Sequence, residues 1–183
     1  MNGHQLQKEQ SRQMIEEALF ALMKEKPYTE ISVSEITKRA DISRRTFYRL
    51  YQGKDDVISV YFDRLCENYQ NGCKPIQGYA VEQIATEFFS FWYRHKEFLL
   101  LLHRSGLESM LYLGINRASE RVIRSRIGEH SLQQMPELIY FIEYSTGGFI
   151  NLLYRWIREG MELSPQEYAK LTGGAITKVI RPQ

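Results

Sequence analysis

The sequence predicts an all-α fold, with a three-helix unit containing a helix-turn-helix at the N-terminus and a longer helical domain after it. Three observations carry this expectation. Apolar residues recur three and four apart along most of the 183 residues, and no stretch alternates as a strand would. Glycine and proline are sparse, 12 and 5 in all, against an apolar content of 43%. Serines that can cap helices stand just before several of the periodic stretches, at Ser32, Ser43 and Ser164.

The first helix runs from about Gln7 to Lys26 on Ile15, Ala18, Leu19 and Leu22, and Pro27 ends it. Ser32 with Glu35 three residues on makes a capping box, and Ile31 and Ile36 occupy the positions of a hydrophobic staple. The second helix continues on Val33 and Ile36 to Ala40. Asp41 breaks it, and Ser43 caps a third. On that third helix Phe47 and Leu50 point inward, which leaves Arg44, Arg45, Thr46, Tyr48 and Arg49 outside. Arginines can grip guanine with two hydrogen bonds and hydroxyls can fix phosphates, so this face suits DNA. The pattern is that of a helix-turn-helix.

A long helix follows from Lys54 to about Asn71. Asp55 and Asp56 suit the positive end of its dipole, whereas Lys54 opposes it. Residues 72–79 hold two glycines and a proline and form a linker. Further helices are expected at about 80–95, 96–104, 106–127, 136–160 and 165–180, with breaks at Gly128 and Pro136. The segment 136–160 is apolar nearly all round. Leu138, Phe141, Ile142, Phe149, Leu152 and Trp156 form one stripe, and Ile139, Ile150, Leu153 and Ile157 another. Such a helix is buried on most sides, either as a central core helix or against a second copy. Gly147-Gly148 and Gly173-Gly174 would permit close approach, and burial against a second copy is the expectation.

Bulk charge says little: the formal net charge is +2, and residues 1–60 hold 10 basic against 9 acidic side chains. The signal is local, five basic residues against one acid over 38–49. No metal-ligand spacing, nucleophile elbow or phosphate loop is found around His4, His95, His103 and His130 or elsewhere. Neither an enzyme nor a cofactor is therefore expected. Arg117, Arg121 and Arg124 share a face with Glu120 and are taken as solvated. Cys66 and Cys73 lie too far apart on a regular helix for a disulfide. The longest run of large apolar residues, Phe98 to Leu102, is far short of the roughly 20 that span a bilayer. A soluble, cytoplasmic protein without membrane partners is the expectation.

The N-terminal residues resemble a known family closely. Ile15…Ala18…Leu22, then Ile31-x-Val33-x-x-Ile36-x-x-Arg39-Ala40-Asp41-Ile42-Ser43, then Thr46-Phe47-Tyr48-Arg49-Leu50-Tyr51 and Lys54, look like the TetR family of transcriptional regulators. The match covers about the first third of the chain. Asp41 departs from it, standing where the family usually has glycine, though Asp tolerates the left-handed conformation better than most residues. The resemblance implies a DNA-binding domain over 7–53 and a helical regulatory and dimerisation domain over 54–183. It also implies a homodimer, a palindromic double-stranded operator, and an effector in the C-terminal domain. Ser34, Ser43, Arg44, Arg45, Thr46, Tyr48, Arg49 and Lys54 form the set expected at DNA, with Lys54 on a phosphate as in the family. A repressor controlled by a small molecule is expected; the alternative is a regulator or activator controlled by a protein partner. The ligand-contacting positions vary across the family and are not carried over.

Overall fold

The computed structural model describes residues 3–72, 81–127 and 137–180, and among these residues there are nine α-helices and no strand. In chain order they are α1 (Gly3–Glu25), α2 (Val33–Arg39), α3 (Arg44–Leu50), α4 (Lys54–Gly72), α5 (Val81–Tyr93), α6 (Lys96–Arg104), α7 (Glu108–Ile127), α8 (Leu138–Arg158) and α9 (Pro165–Ile180). A single 3-10 turn, Tyr28–Glu30, stands between α1 and α2. Of the expected linker only Gly72 is described, as the end of α4; Gly128 and Pro136 also lie outside the described residues.

Local chemistry accounts for the ends of these helices. The Ser32 hydroxyl accepts from the Glu35 N–H at 3.3 Å, and the Glu35 carboxylate accepts from the Ser32 N–H at 3.0 Å, closing the capping box. Ile31 and Ile36 are both buried beside it, as the staple requires. At the other end of α2, Ile42 N–H donates to the Thr37 carbonyl at 3.0 Å across Asp41, whose φ of 51° is left-handed. The turn expected of a glycine is thus made by aspartate. Ser43 caps α3 by accepting from the Thr46 N–H at 3.0 Å. Ser164 and Glu167 form a second capping box on α9, with Pro165 at the first helical position.

One apolar cluster runs from Ile15 in α1 to Ala169 in α9. Its centre is aromatic. Phe62 of α4 stacks on Trp92 of α5 at 5.4 Å, and Trp156 of α8 lies between Tyr168 at 4.9 Å and Tyr93 at 5.5 Å. Helix α9 packs along α5, and α4 along α7. At Gly114 the α4–α7 approach leaves no room for a β-carbon, which would fall 2.2 Å from the Phe62 ring.

The two stripes of α8 sort unequally. Ile150, Leu153, Trp156 and Ile157 are buried within the chain, while Phe149 is half-buried against Phe88 at 5.2 Å. Trp156 is 1% exposed, so it packs in its own chain and not toward a partner. The outer face of α8 instead presents Tyr140 and Tyr144, 76% and 81% exposed, and Gly147 and Gly148 with open space before them. The side chains of Leu138, Phe141 and Ile142 lie outside the described residues.

Candidate nucleic-acid interface

Helix α3 is built to hold its outer face still. Phe47 has no exposed surface, Tyr51 just beyond the helix is buried, and Leu50 packs against the same core. Opposite them Arg44, Arg45, Tyr48 and Arg49 are exposed. The Tyr48 ring stands edge-on to Phe47 at 5.5 Å, and the Arg44 guanidinium lies 6.0 Å from the Tyr48 centroid. Arg45 and Arg49 make no hydrogen bond or ion pair among the described residues. Their guanidinium donors are free to meet an acceptor.

The smaller polar residues are placed more variously. Ser43 is exposed and its hydroxyl is 2.9 Å from that of the half-buried Thr46, so each already serves the cap. Ser34 is exposed on α2. Other basic groups nearby are neutralised: Arg39 pairs with Glu25 at 2.6 Å, and Lys26 with Glu35 at 2.5 Å. The hydrogen bond from Lys26, with those from Ser32, holds the Glu35 carboxyl far down, at about 2.

Lys54 has a different environment from the arginines. Its ammonium donates to the Tyr28 carbonyl at 2.6 Å, the Ile31 carbonyl at 2.9 Å and, at 3.4 Å, the Thr29 carbonyl. It also lies 4.4 Å from the centroid of the Tyr28 ring.

Beneath α3 lies a polar cluster that periodicity did not reveal. The Glu16 side chain, 5% exposed, is gripped by Arg64 at 2.6 and 3.1 Å and accepts from the Tyr51 hydroxyl at 3.1 Å. Burial, and then the Glu16 charge, push the Tyr51 hydroxyl well above its ordinary range. This cluster ties α1, the end of α3 and the middle of α4 together. Its one sequence signal is a carboxylate placed next to Ile15 and three residues before Leu19, at the edge of the buried stripe of α1.

Cavities among the described residues include one against α7 and α8 and one between α4, α6 and α7. A cleft of about 540 Å³ is lined by Glu108, Asn151, Tyr154, Arg155 and Arg158, and a gap of about 70 Å³ by Ile58, Phe62, Leu102, Met110 and Leu113. His103 bonds Glu108 through Nδ1 at 2.6 Å, which holds the Glu108 carboxyl below its ordinary range. The indole N–H groups of Trp92 and Trp156 and the Thr146 hydroxyl are buried without a partner among the described residues. Among those residues no metal-binding cluster occurs, and no helix is long and apolar enough to cross a membrane.

Residues 15–60 match the family model described as bacterial regulatory proteins, tetR family. Residues 80–178, more than half the chain, match the model for a transcriptional regulator C-terminal region. No curated protein matches. Among solved structures, the fold is similar to that of a protein titled dihydroxyacetone kinase operon activator DhaS, at 17% identity and a TM-score of 0.61, over 93% of this chain and 96% of that one. A tetR-family transcriptional regulator from Streptomyces coelicolor is similar at 20% identity and 0.56, over 92% and 83%. The fatty acid degradation regulator FadR from Bacillus halodurans is similar at 14% identity and 0.54, over 94% and 97%. Helix-turn-helix geometry, an outward arginine face and both family matches agree: the chain belongs to the TetR family of DNA-binding transcriptional regulators.

Proposed function

We propose that this regulator acts as a homodimeric repressor on a palindromic operator, with α3 in the major groove and its DNA affinity set by a ligand in the C-terminal domain. The observation that carries the reading is the α3 face, where Arg45 and Arg49 stand unpaired above a rigid Phe47–Tyr51 base. Arg44, Arg45 and Tyr48 meet base edges and Arg49 the backbone, while Ser34, Ser43 and Thr46 fix phosphates. The functional division falls at 53/54, between the reading unit and the helices that regulate and dimerise.

Dimerisation is supported by the outer faces of the last two helices. Tyr140, Tyr144 and Leu171 are exposed, and Gly147, Gly148 and Gly174 leave space for a close neighbour. Ligand control is supported by the partnerless polar groups inside an aromatic interior, which a ligand with matching acceptors or donors would satisfy. A protein partner on the C-terminal domain is the alternative effector. Activation is the second reading for the direction of control, because one structurally similar protein is titled an operon activator. Action on genomic DNA places the protein in the cytoplasm.

The test is a gel shift on genomic fragments at modest salt. Arg45→Ala is expected to cost about 1–3 kcal/mol of operator binding and to relax one position of the site. An Arg44/Arg45 double alanine variant that binds as tightly as the parent would show that α3 is not the reading element. Sedimentation should give about twice 21.6 kDa for the parent, and Tyr144→Glu should shift it toward monomer. A monomeric parent removes the palindrome. Operator DNA must weaken effector binding by the factor by which effector weakens operator binding, and both signs reverse for an activator.

A further inference from the structure

Lys54 is the residue whose surroundings disagree most with the role the family resemblance implies. We propose that Lys54 is a positioning residue: with Tyr28 and Asp55 it latches the start of α4 onto the turn that leads into α2, and it does not serve as a phosphate contact. The inference rests on the DNA-binding reading above, and it reassigns one of the residues expected at DNA.

The ammonium of Lys54 is fully engaged. An ammonium group has three N–H donors and no acceptor. Three carbonyls of the turn, those of Tyr28, Thr29 and Ile31, converge on it at 2.6, 3.4 and 2.9 Å. The positive charge also lies 4.4 Å from the Tyr28 centroid, within the range of a cation–π contact. A phosphate could be reached only by giving up one of these partners.

The neighbouring residues close the same latch. Tyr28 is buried, and its hydroxyl donates to the carboxylate of Asp55, the residue after Lys54. Lys54 and Asp55 therefore grip backbone and side chain of the same turn from adjacent positions. Desolvation, and then the hydrogen bond to Asp55, push the Tyr28 hydroxyl well above its ordinary range, as a buried donor to a carboxylate should be. The grip also explains a lysine in the first turn of a helix, where the dipole disfavours it: the carbonyls of the turn offset that cost.

The latched turn leads directly into α2. Ile31 supplies the last of the three carbonyls and the staple of α2, and Ser32 caps that helix next in the chain. Helix α4 runs 19 residues from this latch, packing on α7 along the way. A change in the tilt of α4 is thus delivered to α2 and α3 through Lys54. Removing the ammonium leaves the surface charge of α3 intact and loosens the angle at which it is presented.

Salt dependence separates the two roles. Deleting a lysine that sits on a phosphate lowers the slope of log affinity against log salt by about one unit, equally for any sequence. Specific and non-specific DNA affinities should be measured from low to moderate salt for the parent, Lys54→Met and Tyr28→Phe. Tyr28→Phe removes only the hydroxyl bonded to Asp55. We expect both variants to fall about tenfold in operator affinity, with the salt slope and non-specific binding unchanged. In free protein, amide exchange over 32–39 should quicken in both. A slope lowered by about one in Lys54→Met, with non-specific binding reduced alike and Tyr28→Phe silent, overturns the proposal. Should Lys54→Met unfold, the milder Tyr28→Phe decides by the same criteria. A parent that binds no specific DNA defeats the reading of α3, whereas unchanged exchange over 32–39 defeats the latch on its own.

Discussion

Gly114→Ala places a methyl group where α4 and α7 come closest. The added β-carbon would lie 2.2 Å from Phe62 Cδ1 and 2.5 Å from Cε1. Carbon atoms pack at about 3.5–4.0 Å, so the ring and the α7 backbone must part by well over an ångström. The ring has little freedom to yield, being 2% exposed and stacked on Trp92 with an interplanar angle of 12°. Overpacking of a core costs about 1–3 kcal/mol, and a clash this deep falls at the upper end. Against it, alanine regains about 1 kcal/mol of helix propensity over glycine. The difference is about 2 kcal/mol of net destabilisation, or a fall of about 4–8 °C in Tm for a chain of this length. Thermal unfolding followed by circular dichroism reads this directly. The double variant Gly114→Ala/Phe62→Leu should lose less than the sum of its singles, because the smaller side chain relieves the same clash. If Gly114→Ala melts at or above the parent's Tm, propensity has won and the α4–α7 contact is not the tight one described.

Three further outcomes follow from the N-terminal half. Arg64→Met leaves Glu16 buried without its cation and should cost about 2–3 kcal/mol, below the usual loss for a fully buried pair because Arg64 is a third exposed. Glu16→Leu/Arg64→Met should recover most of that in urea unfolding, and a double variant as unstable as the single would sink the pairing. At Asp41, with φ at 51°, Asp41→Val should lose about 1 kcal/mol or more and Asp41→Gly should lose nothing; equal urea midpoints for valine and aspartate would contradict the left-handed turn. The Glu35 carboxyl is lowered from 4.5 to about 2 by Lys26 and Ser32, so its contribution is complete above about pH 4.5 and is lost as pH falls toward 2. Glu35→Gln should flatten the fall of the urea midpoint over that window, and parallel curves for parent and variant would refute the assignment.

The sequence by itself determined the class of the fold and the limits of several of its helices, though the first begins at Gly3, four residues before the expected start. The boundaries expected near 54–71, 96–104 and 165–180 agree with α4, α6 and α9 to within a residue. Ser32 with Glu35, the Ser43 cap, and Asp41 in the left-handed turn were legible because each acts through bonds spanning five residues or fewer. The outward arginines of α3 were legible for the same reason: helical spacing alone assigns Phe47 and Leu50 to the opposite face.

Only the tertiary structure decided which distant residues meet. Glu16 and Arg64 lie 48 positions apart, and neither periodicity nor capping names a partner at that range. Trp156 could have faced the core or a partner from its helical position, and its stacking on Tyr168 turns it inward while Tyr140 and Tyr144 face out. Lys54 was placed correctly at the start of its helix, but its three carbonyl partners come from a turn more than twenty residues earlier. The physical reason is common to all three. Helix formation is governed by bonds to near neighbours, whereas the partner of a buried charge or an aromatic face is chosen by how whole helices pack.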